Sequence, residues 1–328
     1  MKAVQLSRFG GADALELREL VQPTVLPGEA LVRVHFAGVN YADVTLRSGA
    51  HPWPEPLPLT PGFEASGVVE QVGAGVTRVS AGDRVASLHF ALGAYAEYQV
   101  VPEERLVRLP PDVTLENGVA LMLQGLTAQA LILESGCVES GSTVLIHAAA
   151  GGMGQLLARW SRQRGATVIG TVSTPEKRAR ALEAGADHVI DYSQHDFADE
   201  IQRLTHGRGV DVVIDGVGKT TFQRNLSAVA PRGRIIFYGF ASGVPDPFDP
   251  RLLMGKSVTL SGENVANYVT RREELERRAE QVFQAHRDGI LVPSIDRILP
   301  LEQASKAHEL LEGRASMGKI LLAAAAPG

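Results

Sequence analysis

Thr143-Val144-Leu145-Ile146-His147-Ala148-Ala149-Ala150-Gly151-Gly152-Met153-Gly154 is followed by an amphipathic run to Gly165 and then by Thr167-Val168-Ile169-Gly170-Thr171-Val172. A short apolar strand runs into a turn of small residues, the turn opens a helix, and the helix leads to a second apolar strand. Met153, Leu156, Leu157 and Trp160 fall at i, i+3, i+4 and i+7, one buried face, and Gly165 suits the C′ position that ends a helix. This order is what a dinucleotide pyrophosphate needs. Small residues let the backbone approach closely, and the helix N-terminus offers unpaired N–H groups to the anion. Ala149-x-Gly151-x-x-Gly154 relaxes the strict G-x-G-x-x-G spacing but keeps its strand–turn–helix context. Gly151, Gly152, Met153 and Gly154 are therefore cofactor-binding candidates; the plainer reading is the glycine turn of any βα unit.

The same rhythm continues downstream. Thr174-Pro175-Glu176 is a cap followed by a proline helix start. Further strands are expected at 188–190, 210–214 and 234–238, with helical segments between them. Such alternation predicts a doubly wound parallel sheet with right-handed crossovers. Beyond Gly262 the pattern gives a charged helix around 271–286, a strand near 297–299, a helix at 303–311 and a last strand at 319–322. Upstream, the first ~120 residues carry strand and turn signals at 30–36, 67–72, 83–86 and 95–101. Between His51 and Pro61 five prolines occur, and proline neither donates to a ladder nor continues a helix, so a loop is expected. The layout is a β-rich domain over 1–122, an inserted α/β domain over 123–264 and a return to the first domain over 265–328.

Composition narrows the class. The 328 residues suffice for two domains, and no uninterrupted apolar run reaches the ~18 residues of a membrane span. Met1 to Gln5 enters a strand-like pattern directly, without signal-peptide features. Cys137 is the one cysteine, so neither an internal disulfide nor a cysteine-rich zinc site can form. These features favour the cytoplasm. A net charge of −5 with interspersed signs argues against nucleic acid as the main partner. The Ala-rich tail from Leu321 to Gly328 reads as a frayed end.

The segments Gly38-Val39-Asn40-Tyr41-Ala42-Asp43, Arg47-Ser48-Gly49, Pro61-Gly62-Phe63-Glu64-Ala65-Ser66-Gly67, Ala81-Gly82-Asp83-Arg84-Val85, Gly125-Leu126-Thr127, His147–Gly154 and Gly318-Lys319 together resemble the medium-chain dehydrogenase/reductase superfamily. The similarity is to its zinc-independent quinone oxidoreductase (zeta-crystallin-like) branch and covers nearly the whole chain. The resemblance implies a Rossmann domain inserted into a GroES-like β-rich catalytic domain, an interdomain cleft, NADPH as reductant and, commonly, a homodimer built by extending the Rossmann sheets. Zinc-dependent relatives place metal ligands at positions that correspond here to Asn40 or Tyr41, Phe63 and roughly Leu123. Phe and Leu cannot ligate zinc, and a catalytic site needs three N, S or O protein ligands. No metal site is expected.

Cofactor choice falls at the end of the second strand, where an NAD site carries Asp or Glu for the ribose 2′-OH. This chain has Ser173 and Thr174 there, then Lys177 and Arg178. A hydroxyl and a cation suit a 2′-phosphate that a carboxylate would repel. The family uses positions matching Ser173, Lys177 and Tyr192 around that phosphate, and one matching Arg314 near the adenosine end; Arg178 reads as an ordinary helix residue. Gly216, Val217, Gly239, Phe240 and Ser242 follow strand ends, where open α/β sheets bind ligands. At the reacting end the resemblance directs Asn40 toward nicotinamide and substrate, with Thr127 and Gln124 lining the pocket and Tyr41 as a hydrogen-bond donor. Packing for Tyr41 and an Asn-mediated turn for Asn40 are the plainer alternatives. Glu64 reads as structural. His51 stands where the family often has a tyrosine, and reads as a loop residue or a proton donor. The expected activity is metal-free hydride transfer from NADPH to a quinone. The nearest rival is NADPH-dependent reduction of activated C=C bonds in enones, enals or enoyl thioesters. A rival of another class is a non-catalytic NADPH-binding sensor or RNA-binding protein.

Overall fold

The structure is a computed structural model that describes residues 1–50 and 56–324 of the chain. His51 and the first prolines of its loop lie outside the described residues. The chain divides into two units, one formed by Met1–Leu126, Ala266–Gln284 and Ile295–Gly328, the other by Thr127–Val265 and Ala285–Ser294.

The first unit is built from β1 (Lys2–Leu6), β2 (Leu15–Glu19), β3 (Glu29–Val39), α1 (Tyr41–Ser48), β4 (Glu64–Val72), β5 (Arg84–Leu88), β6 (Tyr98–Pro102), β7 (Leu106–Arg108) and the start of α2 (Leu115–Ala130). β3 is its spine. At eleven residues it is long enough to pair antiparallel with β4 along most of its length and with β6 near its start. Val32, Val69, Val85, Val101 and Leu106 close a core between these strands. α1 was not foreseen in the sequence. Its β-branched residues mask a capping box, in which the Asn40 side chain takes the third backbone N–H and Asp43 takes the Asn40 N–H. Asn40, for which an Asn-mediated turn was the plainer alternative to a role at the reacting end, is thus the cap of a helix.

The second unit carries the expected alternation: β8 (Thr143–Ile146), α3 (Gly152–Gln163), β9 (Thr167–Val172), α4 (Pro175–Glu183), β10 (His188–Asp191), α5 (Phe197–Leu204), β11 (Val210–Asp215), α6 (Phe222–Ala228), β12 (Val229–Phe237), α7 (Arg251–Met254) and β13 (Thr259–Gly262). All its strands are parallel, in the order β10-β9-β8-β11-β12-β13. That is the 3-2-1-4-5-6 order of the Rossmann fold, which switches direction between β8 and β11. Leu145, Ile169, Val213 and Ile235 are buried at the centre, beneath α5 and α6.

The chain ends with α8 (Arg272–Arg287), β14 (Ile295–Pro300), α9 (Ala304–Glu312) and β15 (Lys319–Ala323). β15 pairs parallel with β14 and antiparallel with β3, with Ile320 opposite Val39. The start of the tail is therefore not frayed: Leu321 and Leu322 are fully buried, because neighbours on both sides complete their ladder. Among the described residues one helix, Leu115–Ser135, is long and apolar enough to cross a membrane, and 72% of its apolar 18-residue stretch is buried inside the protein.

Candidate functional site

The switch point of the second unit holds most of the expected cofactor residues. His147 N–H donates to the Ile214 carbonyl (3.2 Å) and Ala149 N–H to the Thr171 carbonyl (3.1 Å), pinning the turn between β9 and β11. Ala148 adopts a positive φ of 52°, an uncommon conformation for a residue with a Cβ. Gly151 stands at the N-cap of α3 with extended backbone, and no side chain caps the helix. Its first-turn amides are left for an anion, aided by the helix dipole. A Cβ on Gly154 would lie 2.4 Å from the Ala148 carbonyl oxygen, so only glycine permits this approach of helix to turn. Leu156, Leu157 and Trp160 bury the expected face, while Met153 in the first turn is half-buried. A dinucleotide pyrophosphate fits this cradle.

The end of β9 brings together three residues that sequence alone could only align. Lys177 Nζ reaches Ser173 Oγ at 3.5 Å, and Tyr192 N–H donates to the Val172 carbonyl (3.0 Å), placing Tyr192 beside the same strand end. Thr174 is used as the N-cap of α4, its hydroxyl accepting from Lys177 N–H (3.3 Å). Arg178 donates to the Val189 carbonyl, which matches its reading as an ordinary helix residue.

Two further loops, after β11 and β12, are zipped together. Asp215 Oδ1 accepts from Val217 N–H (2.6 Å) and Gly218 N–H (3.1 Å). The Ser242 N–H and hydroxyl both donate to the Val217 carbonyl (2.8 Å each), and Ala241 N–H donates to that of Gly216 (3.0 Å). Gly239 passes close to Gly216, and Phe240 stacks on Phe237 with ring centroids 5.8 Å apart. Gly216, Val217, Gly239, Phe240 and Ser242 thus form one surface, with the serine hydroxyl occupied as a staple. Thr127 is half-buried in α2.

In the first unit, Asn40 ends β3 in a buried polar cluster. Its Nδ2 donates to Glu64 Oε1 (2.8 Å), and its Oδ1 accepts from Lys319 Nζ (2.6 Å), which also donates to Glu64 Oε1. Glu64 Oε2 accepts from the Leu123 N–H (2.7 Å). A Cβ on Gly38 would collide with the Glu64 carboxylate, so that glycine makes room for the cluster. The sequence assigns Lys319 no role of its own; its signals are the Gly318-Lys319 segment of the family resemblance and its place as a lysine opening the apolar run Ile320-Leu321-Leu322. Nearby Asp43 is fully buried, and desolvation pushes its carboxyl up to about 7 against the pull of the Asn40 N–H and Lys319. Tyr41 is exposed at the start of α1. Partial burial and the Glu312 carboxylate raise its pKa, while Arg314 and Arg47 pull the other way. Arg314 therefore lies within electrostatic reach of Tyr41, in the first unit. Phe63 packs against Phe90 (6.0 Å). Among the described residues no group of three or more His, Cys, Asp or Glu side chains is placed to hold a metal ion.

Residues 26–111 match the alcohol dehydrogenase GroES-like domain, and residues 152–283 match the zinc-binding dehydrogenase domain. Fold and site together define a medium-chain dehydrogenase/reductase. The chain is 40% identical to a 2-haloacrylate reductase of a Burkholderia species, covering 98% of each chain. It is 38% identical to a quinone oxidoreductase of Pseudomonas aeruginosa, covering 98% of this chain and 99% of that one. The crystal structure of the Escherichia coli quinone oxidoreductase complexed with NADPH superposes with a TM-score of 0.95 at 34% identity, over 98% of this chain and all of the other. The chain belongs to the quinone oxidoreductase family of these enzymes.

Proposed function

We propose that this protein is an NADPH-dependent quinone oxidoreductase that transfers hydride without a metal ion. The observation that carries the cofactor choice is the grouping of Ser173, Lys177 and Tyr192 at the end of β9. An NAD site would hold a carboxylate there; a hydroxyl with an ammonium group favours the extra phosphate. The amides that open α3 receive the pyrophosphate, and the loops at Gly216–Val217 and Gly239–Ser242 flank the nucleotide through their backbones. NADPH, when bound, supplies the hydride.

The remaining residues orient the acceptor. The Asn40 amide is consumed by Glu64 and Lys319, so Asn40 acts by positioning the start of α1. Tyr41, a phenol protonated at neutral pH like any tyrosine, donates a hydrogen bond to the acceptor oxygen, and Thr127 lines the nicotinamide pocket. The metal-free reading rests on donor chemistry: Phe63 and Leu123 offer no ligand atom, and Asn40 Oδ1 already accepts from an ammonium group. A cytoplasmic homodimer completes the proposal.

The test follows NADPH oxidation with a panel of quinones, enones and 2-haloacrylates, with and without a strong chelator. Quinone turnover indifferent to the chelator is expected. The 2-haloacrylate reductase among the relatives favours a second reading, reduction of activated C=C bonds, and turnover confined to the alkenes would put it first. Tight NADPH binding without any turnover would instead support a sensor.

A further inference from the structure

Beneath the glycine turn runs a buried chain of side chains that the hydride chemistry does not use. Thr171 Oγ1 lies 2.9 Å from His147 Nδ1, and His147 Nε2 lies 2.8 Å from Asn225 Oδ1. Asn225 Nδ2 in turn donates to Asp215 Oδ2 (2.6 Å). The same carboxylate accepts from the Thr221 hydroxyl (2.6 Å) and, as noted, from the Val217 and Gly218 amides. Thr171, His147, Asn225 and Asp215 are each at most 1% exposed.

The partners fix the directions from Asp215 as far as His147 Nε2. All four neighbours of Asp215 are donors, so the carboxylate accepts throughout. Asn225 must therefore turn its NH₂ to Asp215 and its oxygen to His147. An amide oxygen only accepts, so His147 Nε2 carries a proton. With one proton on the ring, Nδ1 accepts from the Thr171 hydroxyl. In a buried site no water replaces a lost link, and each unmade bond leaves a polar group unsatisfied.

The two ends of this chain are attached to the proposed nucleotide site. Thr171 also receives the Ala149 amide on its carbonyl, and His147 begins the phosphate turn. Asp215 holds the amides of the loop after β11. We infer that Thr171, His147, Asn225 and Asp215 form a unidirectional hydrogen-bond relay that registers the phosphate turn against the 216–218 loop. His147 and Asn225 are then positioning residues for the dinucleotide, acting without touching it. The inference rests on the NADPH reading above.

The test has one readout that needs no cofactor. ¹⁵N NMR of the histidine side chains, assigned with a His147→Gln variant, should show His147 protonated at Nε2 and not at Nδ1. Direct NADPH titration then compares variants that remain folded by circular dichroism. His147→Leu and Thr171→Val should weaken NADPH binding, the former by about tenfold or more. His147→Gln restores the donor to Asn225 and should recover much of the loss, and the KM for quinone should stay put while that for NADPH rises. A proton on Nδ1, or folded His147→Leu and Thr171→Val proteins that bind NADPH within about twofold of wild type, would overturn the relay alone. Wild-type protein that binds no NADPH would overturn the cofactor reading and the relay's role with it, whereas the NMR result would still stand.

Discussion

At the scale of single residues, identical side-chain types do unlike work according to what surrounds them. Lys177 is a half-buried lysine beside a serine, whereas Lys319 is a lysine in the core, 1% exposed and bound to Glu64 and Asn40. Lys177→Ala should raise the KM for NADPH much more than that for NADH, since only the former loses a charge-assisted bond to phosphate. Steady-state kinetics with both cofactors decide this, and equal shifts would remove Lys177 from the phosphate site. Lys319→Met has a different consequence. It leaves the Glu64 carboxylate buried without its cation, a change that costs about 3–5 kcal/mol. Urea denaturation should show that loss, and the double variant Glu64→Gln, Lys319→Met should be more stable than Lys319→Met alone. A double variant no better than the single one would mean that the pair is not coupled.

At the scale of elements, the glycine turn and α3 behave as one piece. Gly154→Ala places a methyl group within 2.4 Å of the Ala148 carbonyl oxygen, so α3 must move away from the turn. A stability loss of about 1–3 kcal/mol is expected, together with weaker NADPH binding. Thermal melts and cofactor titration would show both effects; unchanged binding would mean that the turn does not hold the pyrophosphate. α4 has its own device in the Thr174 cap. Thr174→Ala should cost about 1 kcal/mol, measurable in the same melts, and the cap also orients the helix that carries Lys177.

At the scale of the whole molecule, stability should depend on two buried groups of the first unit that titrate in opposite senses. Asp43 has its pKa raised by burial to about 7 from 3.8. Its folded value lies above its unfolded one, so its contribution is complete at acid pH and is lost as pH rises between about 4 and 7. His308, bonded to the Tyr95 hydroxyl (3.2 Å), has its pKa lowered to about 3 from 6.5, by burial first and by Arg47 second. Its contribution is complete above 6.5 and is lost as pH falls toward 3. Between about pH 4 and 6.5 the two slopes offset one another. Asp43→Asn, which keeps the acceptor for the Asn40 N–H, removes one slope and leaves the other. Its melting temperature should fall from pH 6.5 downward, relative to wild type. Parallel profiles for the two proteins across that range would refute the assignment.

The sequence by itself determined what depends on near neighbours. The βα alternation, the small-residue turn and the absence of a carboxylate at Ser173 all lie within about thirty residues, where periodicity and turn chemistry act. The missing zinc donors at Phe63 and Leu123 also needed only residue identity, once the family pattern aligned them. α1 was legible in principle through its Asn40–Asp43 capping box, but its β-branched residues hid it. What only the tertiary structure decided are the side-chain partnerships made across strands. Lys319 meets Asn40 across 279 positions of chain, and His147 meets Asn225 across 78. Those contacts come from strand pairing and from burial, which no local pattern encodes. Burial is also what made them consequential. It turned Asn40 from a free amide at the reacting end into a held one, and gave Asp43 and His308 their opposite shifts.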